Sequence, residues 1–195
     1  MLKHPPGKVL IASLLLCTTT AATIMALETG ASQCTACLAG SFSNEGAMQC
    51  IPCEPGYYAD LNSSSMCKEC PSGKYSTGWG SVACTPCPAG TYNNKTASTG
   101  ISFCIGCGMG MYSATVGANS AENCSNCPAG TWSSLRAAAS EMDCNLCGNG
   151  TFSYVVGAKD AGVCKNCPAG FYSAKMGADK VIFPNSEHIG LIFAL

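Results

Sequence analysis

One short pattern, Cys-x-x-Cys-x-x-Gly-x-aromatic, recurs eight times in this chain and constrains its fold more than any other feature. The leading cysteines are Cys34, Cys50, Cys67, Cys84, Cys104, Cys124, Cys144 and Cys164, and their companions are Cys37, Cys53, Cys70, Cys87, Cys107, Cys127, Cys147 and Cys167. Three residues after each companion stands a glycine: Gly40, Gly56, Gly73, Gly90, Gly110, Gly130, Gly150 and Gly170. Two residues later comes an aromatic: Phe42, Tyr58, Tyr75, Tyr92, Tyr112, Trp132, Phe152 or Tyr172. A fixed period is the mark of an array whose units bury surface only by stacking on their neighbours. Leading cysteines are spaced by 16, 17 and 17 residues and then by 20 four times, giving a shorter N-terminal part and a regular C-terminal part. Within the longer units a serine follows the aromatic at Ser113, Ser133, Ser153 and Ser173, and a Gly-Ala pair recurs at Gly117-Ala118, Gly157-Ala158 and Gly177-Ala178.

Only 11% of the residues are charged, and the hydrophobic fraction of 47% is inflated by 17 cysteines, so covalent staples stand in for a conventional apolar core. A net charge of −1 with no basic stripe argues against nucleic acid or a membrane surface as partner. The expected fold is a small disulfide-rich repeat: an elongated tandem array of short β-hairpin and loop modules with little regular secondary structure. Proline or alanine before the repeat glycine, as in Pro88-Ala89-Gly90, is turn chemistry, and the stretch from glycine to serine reads as a two- or three-residue strand whose aromatic packs against a disulfide. The best helix candidate, Ser133 to Met142, suits no more than a single turn between cross-links.

Residues 1–30 differ from the rest. Lys3, His4 and Lys8 precede an apolar run from Val9 to Cys17, and small residues follow around Ala21 and Ala22, the composition of a secretory signal peptide and a short spacer. Cleavage there removes Cys17 and leaves sixteen paired cysteines. An uncleaved signal anchor is the rival reading, because Val9 to Leu27 is 19 residues without a charge and a bilayer crossing takes about 20. Either reading puts the repeats of residues 31–180 in an oxidising compartment, secreted or on the cell surface. Residues 181–195 fit no repeat, since Pro184 stands where a ninth pair would begin. The expectation is a truncated array or a misread gene end, with any further membrane attachment in a missing C-terminal region.

Three chemistries use CxxC pairs. Zinc would take two pairs as a tetrahedron of thiolates, and the CxxCG runs at Cys104–Gly108 and Cys144–Gly148 have the look of zinc knuckles. Thiol-disulfide exchange needs a low-pKa cysteine at a helix start in a βαβ setting, which is absent here. A metal-thiolate or redox protein is therefore the alternative to structural disulfides, which eight like copies suit better. Two regular pairings are open. In a ladder, each companion cysteine bonds the next leading one, from Cys37 with Cys50 to Cys147 with Cys164, leaving Cys34 and Cys167 over. In a parallel scheme Cys34 bonds Cys50 and Cys37 bonds Cys53, then Cys67 bonds Cys84 and Cys70 bonds Cys87. The non-alternating spacing favours the ladder, and each closed loop is worth about 3 kcal/mol.

The run Cys-x-x-Cys-Pro-Ala-Gly-Thr-Tyr at Cys84 to Tyr92, nearly repeated at Cys124 to Trp132 and Cys164 to Tyr172, resembles the cysteine-rich repeats of ephrin receptors. It is also similar to modules of the tumour necrosis factor and growth-factor receptors and to CxxC surface antigens of protists. The resemblance spans residues 34 to about 180 and implies elongated, loop-rich rods that act as stalks, spacers or ligand-contact surfaces, with an extracellular protein or glycan as partner.

Neither His4 nor His188 lies in the array, and no serine-acid or carboxylate pairing recurs, so neither an enzyme nor a cofactor or metal site is expected. Asp60, Glu141, Asp143, Asp160 and Asp179 share no repeat position and read as solvated loop charges. Glycosylation sequons occur at Asn62, Asn94 and Asn149, with a weaker one at Asn123. The eight register aromatics read as local core. Trp79, Tyr57, Tyr154 and Phe171, outside that register, read as exposed contact residues.

Overall fold

The computed structural model describes residues 33–181 in full and the backbone of 23–25. Each companion cysteine is followed by a β-turn closed by bonds such as Tyr57 N–H to the Glu54 carbonyl at 3.0 Å and Thr91 N–H to the Pro88 carbonyl at 3.2 Å. The repeat glycine is the third residue of that turn. Gly90 sits there at φ +82°, a conformation that L side chains avoid. Pro71, Pro88, Pro128 and Pro168 are first turn residues and supply the accepting carbonyl, whereas Pro55 alone holds the second position, at which proline pre-sets φ.

From the turn the chain enters a two-residue strand, whose partner is the pair of residues between the cysteines of the next unit. Ser41–Phe42 pairs antiparallel with Ile51–Pro52, Tyr57–Tyr58 with Lys68–Glu69, and Lys74–Tyr75 with Thr85–Pro86. The series continues as Thr91–Tyr92 with Ile105–Gly106, Met111–Tyr112 with Ser125–Asn126, Thr131–Trp132 with Asn145–Leu146, and Thr151–Phe152 with Lys165–Asn166. At the N-terminal end Thr23–Met25 pairs with Cys34–Ala36. Every CxxC therefore carries a strand of its own.

Among the described residues helix is confined to 3₁₀ turns at Ile101–Phe103, Ala121–Asn123, Glu141–Asp143 and Ala161–Val163. The segment Ser133 to Met142 forms no α-turn despite its alanines. Ser133 N–H donates to the Ala158 carbonyl at 2.9 Å and Ala137 N–H to the Cys107 carbonyl at 2.9 Å, so its backbone is committed to other units. Ala137 adopts φ +57°, which ends any helix there. Tertiary pairing overrides local propensity.

Stacking repeats one set of backbone bonds. Around Gly90, its N–H donates to the Ser113 carbonyl (2.7 Å), its carbonyl accepts from Cys107 N–H (2.8 Å), and Gly117 N–H reaches back to the Cys87 carbonyl (2.8 Å). The same bonds recur about Gly110, with Ser133, Cys127 and Ala137, and about Gly130, with Ser153, Cys147 and Gly157. A second layer of contact reaches two units ahead. A Cβ built on Gly110 would stand 2.2 Å from the Gly157 carbonyl oxygen, and one on Gly73 would stand 2.1 Å from that of Gly117. Units thus touch their next and next-but-one neighbours along the chain, an elongated array of short antiparallel hairpins.

Candidate functional site: the disulfide ladder and its exposed loops

The sulfurs follow the ladder. Cys37–Cys50, Cys53–Cys67, Cys70–Cys84, Cys87–Cys104, Cys107–Cys124, Cys127–Cys144 and Cys147–Cys164 are bonded, with Cα atoms 5.5 to 5.7 Å apart. In each of the pairs from Cys50 to Cys147 the two cysteines bond in opposite directions, one to the preceding unit and one to the following. No CxxC among them closes on itself, as a redox dithiol would. The parallel scheme is not formed. Cys34, expected to be left over, is itself disulfide-bonded, so among the described residues Cys167 alone keeps a free thiol.

The companion cysteines from Cys37 to Cys147 are at most 1% exposed. Beside them lies the residue after each aromatic: Ser43, Ala59, Ser76, Asn93, Ser113, Ser133 and Ser153, all buried. The expectation that the register aromatics make the core is corrected in part. Phe42, Tyr58, Tyr75, Tyr92, Tyr112, Trp132 and Phe152 are only half-buried and Tyr172 is exposed. Serine or alanine fills the inner position in six units and Asn93 in the seventh, where backbone from the adjoining unit closes on it. Ser113 N–H, for example, donates to the Ala138 carbonyl at 3.0 Å. The alanines of the recurring Gly-Ala pairs belong to the same layer, with Ala138 of Ala137-Ala138 in their place in one unit: Ala118, Ala138, Ala158 and Ala178 bridge the strand positions Tyr92, Tyr112, Trp132 and Phe152.

The charged groups sit outside that layer, whose own polar bonds, such as Asn93 Nδ2 to Ser98 Oγ at 2.9 Å, are buried within it. Lys68 Nζ donates to Asp60 Oδ1 at 2.8 Å on the surface and lies 6.0 Å from the centre of the Tyr58 ring. The bond to Lys68 lowers the Asp60 carboxyl below its ordinary value, and the bond to Asp60 raises Lys68. Tyr58 and Asp60 line a shallow cleft of about 240 Å³ with Pro71, Lys74, Val82, Ala83 and Cys84. Desolvation, and then the Glu141 carboxylate 3.4 Å from its hydroxyl, raise the Tyr112 phenol. Asp143 and Asp160 serve locally: Asp143 Oδ2 accepts from Ser140 N–H at 3.0 Å and Asp160 Oδ1 from Gly162 N–H at 2.8 Å. Glu141, Asp160 and Asp179 are scattered and exposed.

Of the proposed contact aromatics, Trp79 (63% exposed) and Tyr154 (75%) project from loops. Tyr57 and Phe171 do not; both directly follow a turn glycine and are half-buried. Asn62, Asn94 and Asn149 are exposed, and Asn62 Oδ1 accepts from Ala39 N–H at 2.9 Å, which leaves its nitrogen as the atom for a glycan. Asn123 is half-buried, with its Oδ1 accepting from Ser120 N–H at 3.2 Å. Apart from the backbone of 23–25, the N-terminal residues 1–32 and the tail beyond Val181 lie outside the described residues, and with them the expected signal peptide or anchor.

Tandem hairpins, each tied to the next by one disulfide, define a cysteine-rich stacked-repeat protein. The chain belongs to the ephrin-receptor-like family: the model described as tyrosine-protein kinase ephrin type A/B receptor-like matches residues 40–83, 73–124 and 100–144, together more than half of the 195 residues. A search of curated proteins finds no match to the chain.

Proposed function

We propose that the protein is a secreted or cell-surface rod that spaces, adheres or presents contact loops to an extracellular protein or glycan, and that it catalyses no reaction. The observation that supports this best is the run of seven consecutive disulfides, which fix the array covalently and suit an oxidising compartment. Elongation with little conventional core leaves most side chains of the loops free for contact. Exposed Asn62, Asn94 and Asn149 supply glycan positions consistent with passage through a secretory pathway.

Expression of the full chain in secretory cells tests the reading. The protein is expected in the medium or on the surface, with its mass lowered by endoglycosidase and unchanged by that enzyme in the Asn62→Gln/Asn94→Gln/Asn149→Gln variant. Retention in the cytosol with reduced thiols overturns it.

A further inference from the structure

Among the described residues the stacking interface is built six times in full and is then left open. Turn glycines Gly40, Gly56, Gly73, Gly90, Gly110 and Gly130 each lie where an added Cβ would come within 2.1 to 2.4 Å of a carbonyl oxygen two units on. Gly150 and Gly170 keep the same turn, at φ +76° and +87°, yet no described residue comes within 4 Å of the space their Cβ would fill. The change is shared by the surroundings. Cys167 is half-buried where its equivalents are fully buried, Ser173 is half-buried where Ser113, Ser133 and Ser153 are buried, and Tyr172 is 87% exposed. Cys167 also carries a thiol where every companion cysteine from Cys37 to Cys147 is bonded. A glycine conformation, an emptied contact, an uncovered aromatic and a free thiol therefore lie on one face, continuous with the interface that holds the array.

We propose that this face, formed by Gly150, Cys167, Gly170, Tyr172 and Ser173, is a docking and disulfide-acceptor site for one further CxxC unit of the same kind. The occupant is specified by the interface itself. It brings a leading cysteine to Cys167, a companion-position N–H to the Gly170 carbonyl, and a loop carbonyl over Gly150, as the unit of Cys164 and its loop do for Cys147 and Gly130. Residues 168–195 contain no cysteine, so they cannot provide the sulfur. This goes beyond the reading of the protein as an extracellular rod, because it assigns the rod a joint for lengthening or branching.

The test uses the full chain and a synthetic peptide with the sequence of residues 144–163, altered by Cys147→Ser so that one sulfur remains, loaded as its glutathione mixed disulfide. Exchange is balanced: the Cys167 thiolate attacks the peptide sulfur, the bond from peptide to glutathione breaks, and glutathione leaves as thiolate, with no outside oxidant. The expected result is capture at Cys167, located by peptide mapping, about tenfold or more faster than capture of a scrambled peptide carrying the same mixed disulfide. Gly150→Ala should abolish that preference while leaving reaction with the scrambled peptide unchanged, since its Cβ projects into space that only the docked loop needs. Equal rates for the two peptides, or an unaltered preference in Gly150→Ala, overturn the proposal. Neither outcome depends on where the protein resides in the cell.

Discussion

The N-terminal and C-terminal halves build one ladder from units of two sizes. Disulfides Cys37–Cys50, Cys53–Cys67 and Cys70–Cys84 close over 13 or 14 residues, whereas the four from Cys87–Cys104 onward all close over 17. The additional residues go to one place. In the short units Ser81, which accepts from Ala59 N–H, lies three residues before Cys84. In the long units Ala118, which accepts from Asn93 N–H, lies six before Cys124, and the added three are the 3₁₀ turn Ala121–Asn123. Everything inside the bridge residue keeps its register: turn, two-residue strand, buried small side chain and reach-back N–H. Stability resides in the inner layer, and length varies only where it adds loop.

If that division is right, equivalent lesions in the two halves should cost the same. The largest effect is expected from removing one rung. Cys53→Ala/Cys67→Ala and Cys107→Ala/Cys124→Ala should each lose about 3 kcal/mol in denaturant unfolding, and nearly equally, because loop length enters only logarithmically. A cost confined to one half breaks the comparison.

Turn glycines come next. Gly56→Ala and Gly110→Ala place a Cβ 2.4 and 2.2 Å from a carbonyl oxygen as well as straining φ, and each should destabilise by about 2 kcal/mol or more. Gly150→Ala, which meets nothing, should cost only the strain of its positive φ, about 1 kcal/mol. Thermal unfolding of the three variants separates contact from conformation.

Deleting Ala121–Asn123 converts a long unit to a short one. The loss should stay within about 1 kcal/mol, with Cys107–Cys124 still formed on peptide mapping. Deleting three residues from Ser113 to Ala118 instead, inside the bonded layer, should scramble that disulfide.

The smallest effect belongs to the surface pair Asp60–Lys68 of the short half. Its carboxyl is depressed, so the stabilisation it adds is present above the ordinary carboxylate pKa of 3.8 and fades as pH falls through the lower folded value. NMR titration of Asp60 should show that lowered value, and Lys68→Met should return it towards the ordinary one.

Much of this was legible because the repeat is strict. The CxxC-x-x-Gly-x-aromatic register gave the turn, the strand after it and the preference for equivalent units that the ladder satisfies. The partner strand escaped notice because the residues between the cysteines, such as Lys68–Glu69 and Asn145–Leu146, share no residue type. Burial of the serine after the aromatic had a visible signal in Ser113, Ser133 and Ser153, yet it is the backbone closing on that position that makes it core, and serine does not announce that. The loop position of Gly117 and Gly157 was partly hidden, since Ser63, Ala97 and Ala137 occupy its equivalents at positive φ, where glycine is the residue expected. Nor could spacing show that Cys34 is bonded.

The central claim is that one disulfide ties each unit to the next. Peptide mapping of the unreduced full chain by mass spectrometry, with a count of alkylatable thiols, tests it most directly. The account predicts peptides joined as Cys37–Cys50, Cys53–Cys67 and onward to Cys147–Cys164, with Cys34 blocked and Cys167 labelled. Cys67 joined to Cys84 with Cys70 joined to Cys87, bonds within single CxxC pairs, or many free thiols released by a zinc chelator would contradict it.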